Sequence, residues 1–240
     1  MGAFKARGLA LRETNVGEAD RLVTLLLKGR GKLTVSARGA RKVKSKYLAA
    51  ARPFCYADYT VYAGAGFNTL ASADVIDNFF GVAEDYEKLC AGAYFLELAE
   101  KTVMEDMPCD DLLYLLLVTL KTLEKGTRPA EFIRCVFEIK FMQLCGYAPA
   151  TEACAECGAE DGLIFFGAYG AVCGRCAKEH GAAQASAGLL KAVGYILESD
   201  IKNVYMFNTD DNTAAELKRA AKTLFNAHSD ARLKSERFLR

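Results

Sequence analysis

Apolar and polar positions change period once along this chain, near residue 80. Before that point apolar residues come in short alternating runs, the pattern of half-buried strands; beyond it they recur at three- and four-residue steps, the pattern of helices. Residues 4–13 and 21–27 are apolar-rich, and Asn15-Val16-Gly17 lies between them, so the spacing predicts two strands joined by a turn. Lys28-Gly29-Arg30-Gly31-Lys32 is a second turn whose glycines accept positive φ, and residues 33–37 continue as a third strand. Residues 38–46 carry five cations and no hydrophobic period, which predicts a loop. Residues 54–63 alternate and end at Gly64-Ala65-Gly66, and residues 69–76 supply a fifth strand. Five short strands closed by turns fit a small barrel of the OB type; an SH3-like barrel fits nearly as well on pattern alone.

The helical part begins with residues 85–104, where Leu89, Ala93, Leu96 and Ala99 share a face. Asp110 or Asp111 suits the N-cap of a helix over 112–123 that Gly126 ends. Pro129 opens and Gly146 closes a helix over 130–144. Phe132, Val136, Phe137, Ile139 and Phe141 make it apolar on most sides, so it is expected at the centre of its domain. Residues 186–197 and 213–227 give two more helices, the latter with Thr213-Ala214-Ala215-Glu216 as a capping box. The fold class is α+β. An OB-type barrel over 1–80 is followed by an α-helical domain over 81–240, with an insert at about 150–180.

That insert holds the most specific local motif. Cys154-Ala155-Glu156-Cys157 and Cys173-Gly174-Arg175-Cys176 are two Cys-x-x-Cys pairs separated by fifteen residues. Each pair presents two thiolates from a tight turn, and two such turns make a sulfur tetrahedron suited to one Zn²⁺. Four protein sulfurs leave no position for water, so the expected zinc is structural. Gly158 suits the turn, and Phe165 and Phe166 are candidates for the apolar floor of a small ribbon. Two disulfides, four unrelated buried thiols and iron in the same cage are the alternatives. His180, four residues past Cys176, is expected at the surface.

Composition bounds the rest. At 240 residues and 52% apolar, the chain can bury a real core. No N-terminal run resembles a signal peptide, and the apolar runs at 22–27 and 112–120 are interrupted or too short to span a bilayer, so no membrane role is expected. Nine cysteines without a signal sequence point to a reducing cytoplasm, where paired cysteines usually hold metal. The net charge of +1 hides an asymmetry. Arg21, Lys28, Arg30, Lys32, Arg38, Arg41, Lys42, Lys44, Lys46 and Arg52 lie in a stretch without one Asp or Glu, leaving a net of −9 on the remainder. A single-sign block on a barrel suggests a surface for a polyanion, and these ten residues are the candidate DNA-phosphate contacts. Phe4, Tyr47, Phe54 and Tyr56 stand beside the block as candidates for base stacking or for core.

No catalytic motif is present. Gly29-Arg30-Gly31 and Gly64-Ala65-Gly66 are too short for a phosphate-binding fingerprint. With two histidines, no His-Glu-x-x-His and a closed Cys₄ set, a metal-dependent nuclease or deaminase is the weaker reading. A scaffold that never touches DNA is the third.

Several stretches together carry a resemblance. They are Gly17-Glu18-Ala19-Asp20-Arg21-Leu22-Val23-Thr24-Leu25-Leu26, Gly31-Lys32-Leu33 followed by Ala37-Arg38-Gly39-Ala40-Arg41-Lys42, and Thr69-Leu70 with Ser72-Ala73. Further on come Gly146-Tyr147-Ala148-Pro149 and the terminal Leu233-Lys234-Ser235-Glu236-Arg237-Phe238-Leu239. In this order, over nearly the whole chain, the sequence resembles the bacterial RecO family of recombination mediators. The family pattern often has Pro where Val43 stands; some members lack part of the cysteine set that is complete here. The resemblance implies an OB fold and a helical domain with a zinc module; with no catalytic motif and a closed Cys₄ set, no enzymatic activity is expected. It also implies binding of single- and double-stranded DNA, annealing of complementary strands, partnership with RecR, and loading of RecA on DNA coated by single-strand binding protein (SSB). The place of action it implies is the bacterial cytoplasm, at the nucleoid.

Overall fold

The computed structural model describes residues 2–230 and 232–239. The chain forms two compact units, one of Met1–Lys125 with Ala231–Arg240 and one of Gly126–Asp230. By compactness, three helices and the C-terminal segment group with the barrel, so the first unit extends to Lys125.

In the first unit, strands β1 (Ala3–Val16), β2 (Asp20–Leu27), β3 (Gly31–Ala37), β4 (Tyr56–Tyr62) and β5 (Asn68–Asp77) close in the order β1-β2-β3-β5-β4. β1 serves two neighbours. Residues 3–9 pair with β4 and residues 8–16 with β2, with a register shift between Ala10 and Arg12. Such a bulge bends a strand enough to turn a barrel corner. A short parallel pairing, Val35 with Asn68 and Ser36 with Thr69, completes closure and gives the OB arrangement rather than the SH3-like one. Alternation along the strands sends Ala10, Val23, Leu25, Val35, Ala57, Tyr59, Val61 and Leu70 inward.

Residues 38–54 form turns without helix or strand, which the missing period predicts for 38–46. They are nevertheless half core. Ala40, Tyr47, Ala50 and Ala51 are buried in the barrel cluster, and the Tyr47 hydroxyl lies 3.0 Å from the carbonyl of Leu70 and 2.7 Å from that of Ala71. The cations lie on the other side of the same segment.

Helices α1 (Phe80–Ala83), α2 (Tyr86–Thr102) and α3 (Asp110–Lys125) follow. Asp85 caps α2, accepting from the Lys88 N–H at 2.9 Å. Asp110, expected as a cap, is itself in the first turn of α3. Its carboxylate accepts from the Gly29 N–H at 2.6 Å, so it fastens the β2–β3 hairpin tip. At that tip Gly31 has φ +74°, and a Cβ there would lie 2.0 Å from the Met107 carbonyl oxygen. The C-terminal segment returns to this unit through Glu97, whose carboxylate accepts from the N–H groups of Lys234 and Ser235 at 3.0 and 2.8 Å and from the Ser235 hydroxyl at 2.6 Å.

The second unit is built on helices α4 (Ala130–Leu144), α6 (Ala187–Glu198) and α7 (Asp211–His228). α4 is flanked by Pro129 and Cys145 at its cap positions and is buried on most sides, as its composition predicts. Lys140 is buried among apolar side chains, which pushes its pKa down. Its ammonium donates to the carbonyls of Leu197 and Ser199 at 2.9 Å each and so closes the end of α6. The capping box expected at Thr213 does not form. α7 starts earlier, and Asp210 is its cap, accepting from the Thr213 N–H at 2.7 Å. Glu216 turns instead to α6, where it accepts from the N–H and hydroxyl of the capping Ser186. Between α4 and α6 lies a ribbon of β6 (Leu163–Gly167), β7 (Gly170–Cys173), helix α5 (Gly174–His180) and β8 (Ala183–Gln184), with β6 central.

Candidate metal centre and nucleic-acid interface

The ribbon brings the four cysteines together. Cys154 and Cys157 lie on a turn held by the Cys154 N–H to Ala159 carbonyl bond at 2.7 Å and the Gly158 N–H to Cys154 carbonyl bond at 2.9 Å, with Gly158 at φ +73°. Cys173 ends β7 and occupies the N-cap of α5, whose first turn carries Cys176. All four sulfurs lie within 4.8 Å of one another, and those of Cys157 and Cys173 are 3.8 Å apart. Tetrahedral Zn–S bonds of about 2.3 Å require sulfurs about 3.8 Å apart, whereas a disulfide requires about 2 Å. The set can hold one metal ion. Cys154, Cys173 and Cys176 are buried and Cys157 is exposed. Val172, Ala177, Leu163 and Phe165 pack around them; Phe166 is buried outside this cluster.

The four sulfurs do not share one electrostatic environment. The backbone N–H of Cys173, 3.4 Å from the Cys154 sulfur, is the main influence holding that thiol down to about 6. The Ala159 N–H, followed by the Arg175 guanidinium, holds Cys157 below its ordinary value. Cys176 is pushed up to about 12, first by its hydrogen bond with Cys157 and then by burial. Some sulfurs are poised to ionise and one is not. A metal ion held by the set would favour the thiolate form of all four, since a coordinating thiol is deprotonated outright. Cys157 and Cys176 in turn hold the Arg175 guanidinium above its ordinary value, so it is a positive neighbour of this sulfur cage, a role its sequence position does not disclose. His180 stands outside the set, exposed and 3.7 Å from the Glu156 carboxylate.

The ten cations, continuous in sequence, are divided by the barrel. Lys28 and Arg30 sit at the β2–β3 tip, whereas Arg38, Arg41, Lys42, Lys44, Lys46 and Arg52 lie on the segment at the opposite end of that hairpin. Six residue steps of β2 separate Leu27 from Arg21, about 20 Å of strand. Arg41 donates to the Gly17 carbonyl at 2.6 Å and Lys46 to the Ala71 carbonyl at 3.0 Å, so the basic segment bridges the β1–β2 turn and the start of β5. Both side chains remain exposed. Two cations are committed internally. Arg21, with its side chain 12% exposed, pairs with Glu13 at 2.7 Å, and half-buried Lys32 donates to the Glu100 carbonyl at 2.8 Å. Of the aromatics, Tyr47 is core, the half-buried Phe54 ring lies against Gly92 of α2, and Phe4 is covered by the Arg30 guanidinium at 3.8 Å. The exposed aromatics flanking the β4–β5 connection are Tyr62 and Phe67, which the sequence reading passed over.

Comparison with known proteins adds to this geometry. Residues 1–79 match the family model "Recombination protein O N terminal", and residues 83–237 match "Recombination protein O C terminal". The chain is 34% identical over 226 residues to the DNA repair protein RecO of Acetivibrio thermocellus, covering 92% of this chain and 90% of that one. It is 32% identical over 241 residues to the DNA repair protein RecO of Bacillus subtilis, covering 98% and 93%. The RecO of Symbiobacterium thermophilum is 30% identical over 246 aligned positions, covering 100% and 97%. No helix among the described residues is long and apolar enough to cross a membrane.

Proposed function

The chain belongs to the RecO family of DNA repair proteins, and from that premise we propose that it is a non-enzymatic recombination mediator that binds DNA through its barrel. Residues 1–80 take the nucleic acid, single- or double-stranded, and residues 81–240 serve partner contacts. The observation that carries this reading is the exposed, acid-free segment bearing Arg38, Arg41, Lys42, Lys44, Lys46 and Arg52, joined by Lys28 and Arg30 at the far end of the hairpin. Cations in this arrangement neutralise successive phosphates and release counterions. Annealing then needs no catalytic side chain, because neutralised strands repel one another less when held close.

Cys154, Cys157, Cys173 and Cys176 hold one structural Zn²⁺ in this account. Four sulfurs fill a tetrahedral shell, so the ion is a staple for the ribbon and not a reaction centre. The acidic residues around it, Glu152, Glu156, Glu160 and Asp161, suit a partner surface better than a DNA surface. The partners are RecR and SSB, with RecA loaded as the outcome, and the place of action is the cytoplasm at the nucleoid.

Annealing of two complementary oligonucleotides by the isolated protein, with and without RecR, tests the proposal. Binding and annealing without RecR support it. Binding only when RecR is present would favour a scaffold, and strand cleavage or base conversion lost on substituting any one cysteine would favour a metal-dependent enzyme.

A further inference from the structure

Phe67 is 78% exposed, the most exposed aromatic side chain of the barrel. It ends the connection Ala63-Gly64-Ala65-Gly66 between β4 and β5. Its backbone is fixed although its ring is free. A Cβ on Gly64 would lie 2.4 Å from the Phe67 carbonyl oxygen, so the turn closes tightly because residue 64 has no side chain. The next residue, Asn68, is locked beside Val35 by the parallel pairing that closes the barrel. Tyr62, at the other side of the same turn, pairs with Thr69 and is 58% exposed.

The surroundings of this ring identify its ligand. Arg38 follows Val35 by three residues, about 10 Å of strand from the register position next to Phe67. Lys46 reaches the carbonyl of Ala71, four residues past Phe67. An exposed apolar ring on the same barrel edge as these cations, about 10–13 Å of strand from them, fits a chain that carries aromatic faces and negative charges in alternation, which is an unpaired nucleic-acid strand. A duplex offers the same phosphates but keeps its base faces stacked inside.

Resting on the proposed DNA binding, we infer that Phe67, with Tyr62 beside it, is a base-stacking platform that makes the barrel favour single-stranded over double-stranded DNA. The cations supply affinity common to both forms. The ring supplies the difference between them, since stacking on an aromatic side chain requires an unpaired base.

The chain contains no tryptophan, so Phe67→Trp creates a single-tryptophan protein. With a 20-mer of thymidine, its emission should be quenched on binding, and a 20-bp duplex at equal occupancy should leave it unchanged. Phe67→Ala should weaken binding of the single strand about 5- to 150-fold, the range for one stacked base, while duplex affinity stays within about twofold and the salt slope is unaltered because no phosphate contact is lost. Phe67→Leu, which keeps apolar bulk without a π face, should behave like the alanine variant. An unquenched tryptophan at saturation, or an equal loss for both DNA forms, would overturn the inference while wild-type binding left the parent reading intact. A wild-type protein that bound neither DNA would overturn both.

Discussion

At Gly170 the backbone has φ +117°, and a Cβ there would lie 2.3 Å from both the nitrogen and the oxygen of Ala150. This crowding follows from the bridge between Ala150 and Gly170, which ties the cysteine ribbon to the chain leaving α4. Gly170→Ala should therefore destabilise the 126–230 unit by about 2–4 kcal/mol, measured as a shifted denaturation midpoint. Gly181→Ala, at φ +64° with open space around it, should cost only about 1–2 kcal/mol. Equal effects would mean that the crowding at Ala150 is relieved elsewhere. Cys154→Ser should abolish stoichiometric metal and lower thermal stability. Wild-type stability in a metal-free Cys154→Ser protein would contradict the structural role. The cysteines were legible because ligand identity and spacing are both local properties of the sequence. Arg21 was not: whether its charge is free depends on Glu13, which reaches it only after β1 and β2 pair.

Among the elements, the C-terminal segment shows how a latch can hide from periodicity. Leu233 and Ser235 are buried, yet residues 232–239 form only a short 3₁₀ turn, which leaves no apolar period to detect. The latch is Glu97. Burial pushes its carboxyl up, but the Ser235 hydroxyl and the Lys234 and Ser235 N–H groups outweigh burial and hold it below its ordinary 4.5. A carboxyl depressed in the folded state contributes stability that is present above its unfolded value and is lost as pH falls through the folded one. The segment should stay bound at neutral pH and release in acid below 4.5, and Glu97→Gln should remove that pH step. Carboxypeptidase digestion against pH measures this directly; equal sensitivity of wild type and variant at every pH would exclude the latch. The strands and α4 were legible because alternation and the Pro129–Gly146 boundaries are local. The cap of α7 was misread because Glu216 prefers a partner thirty residues away, at Ser186, over its own helix end. At four residues, α1 is too short to show a period.

Over the whole molecule, folding converts a one-dimensional charge block into a three-dimensional surface. The sequence displays ten cations in a row; the barrel sends two to a hairpin tip, buries or engages two, and spreads six along the segment that also plugs its core. That double use of residues 38–54 was invisible in the pattern, since Ala40, Tyr47, Ala50 and Ala51 are too irregularly spaced to read as core. It has a consequence for mutagenesis. Exposed Arg38, Arg41, Lys42 and Lys44 can be changed without touching the barrel interior, whereas Tyr47→Ala should unfold it. The central claim is that these cations bind DNA phosphates, and the slope of log affinity against log salt measures it most directly. For the isolated protein and a single-stranded oligonucleotide, replacing Arg38, Arg41, Lys42 and Lys44 together by Gln should weaken binding and reduce the slope by about 3, given about 0.7 per phosphate contact on a single strand. Unchanged affinity and an unchanged slope in a folded variant would contradict the account.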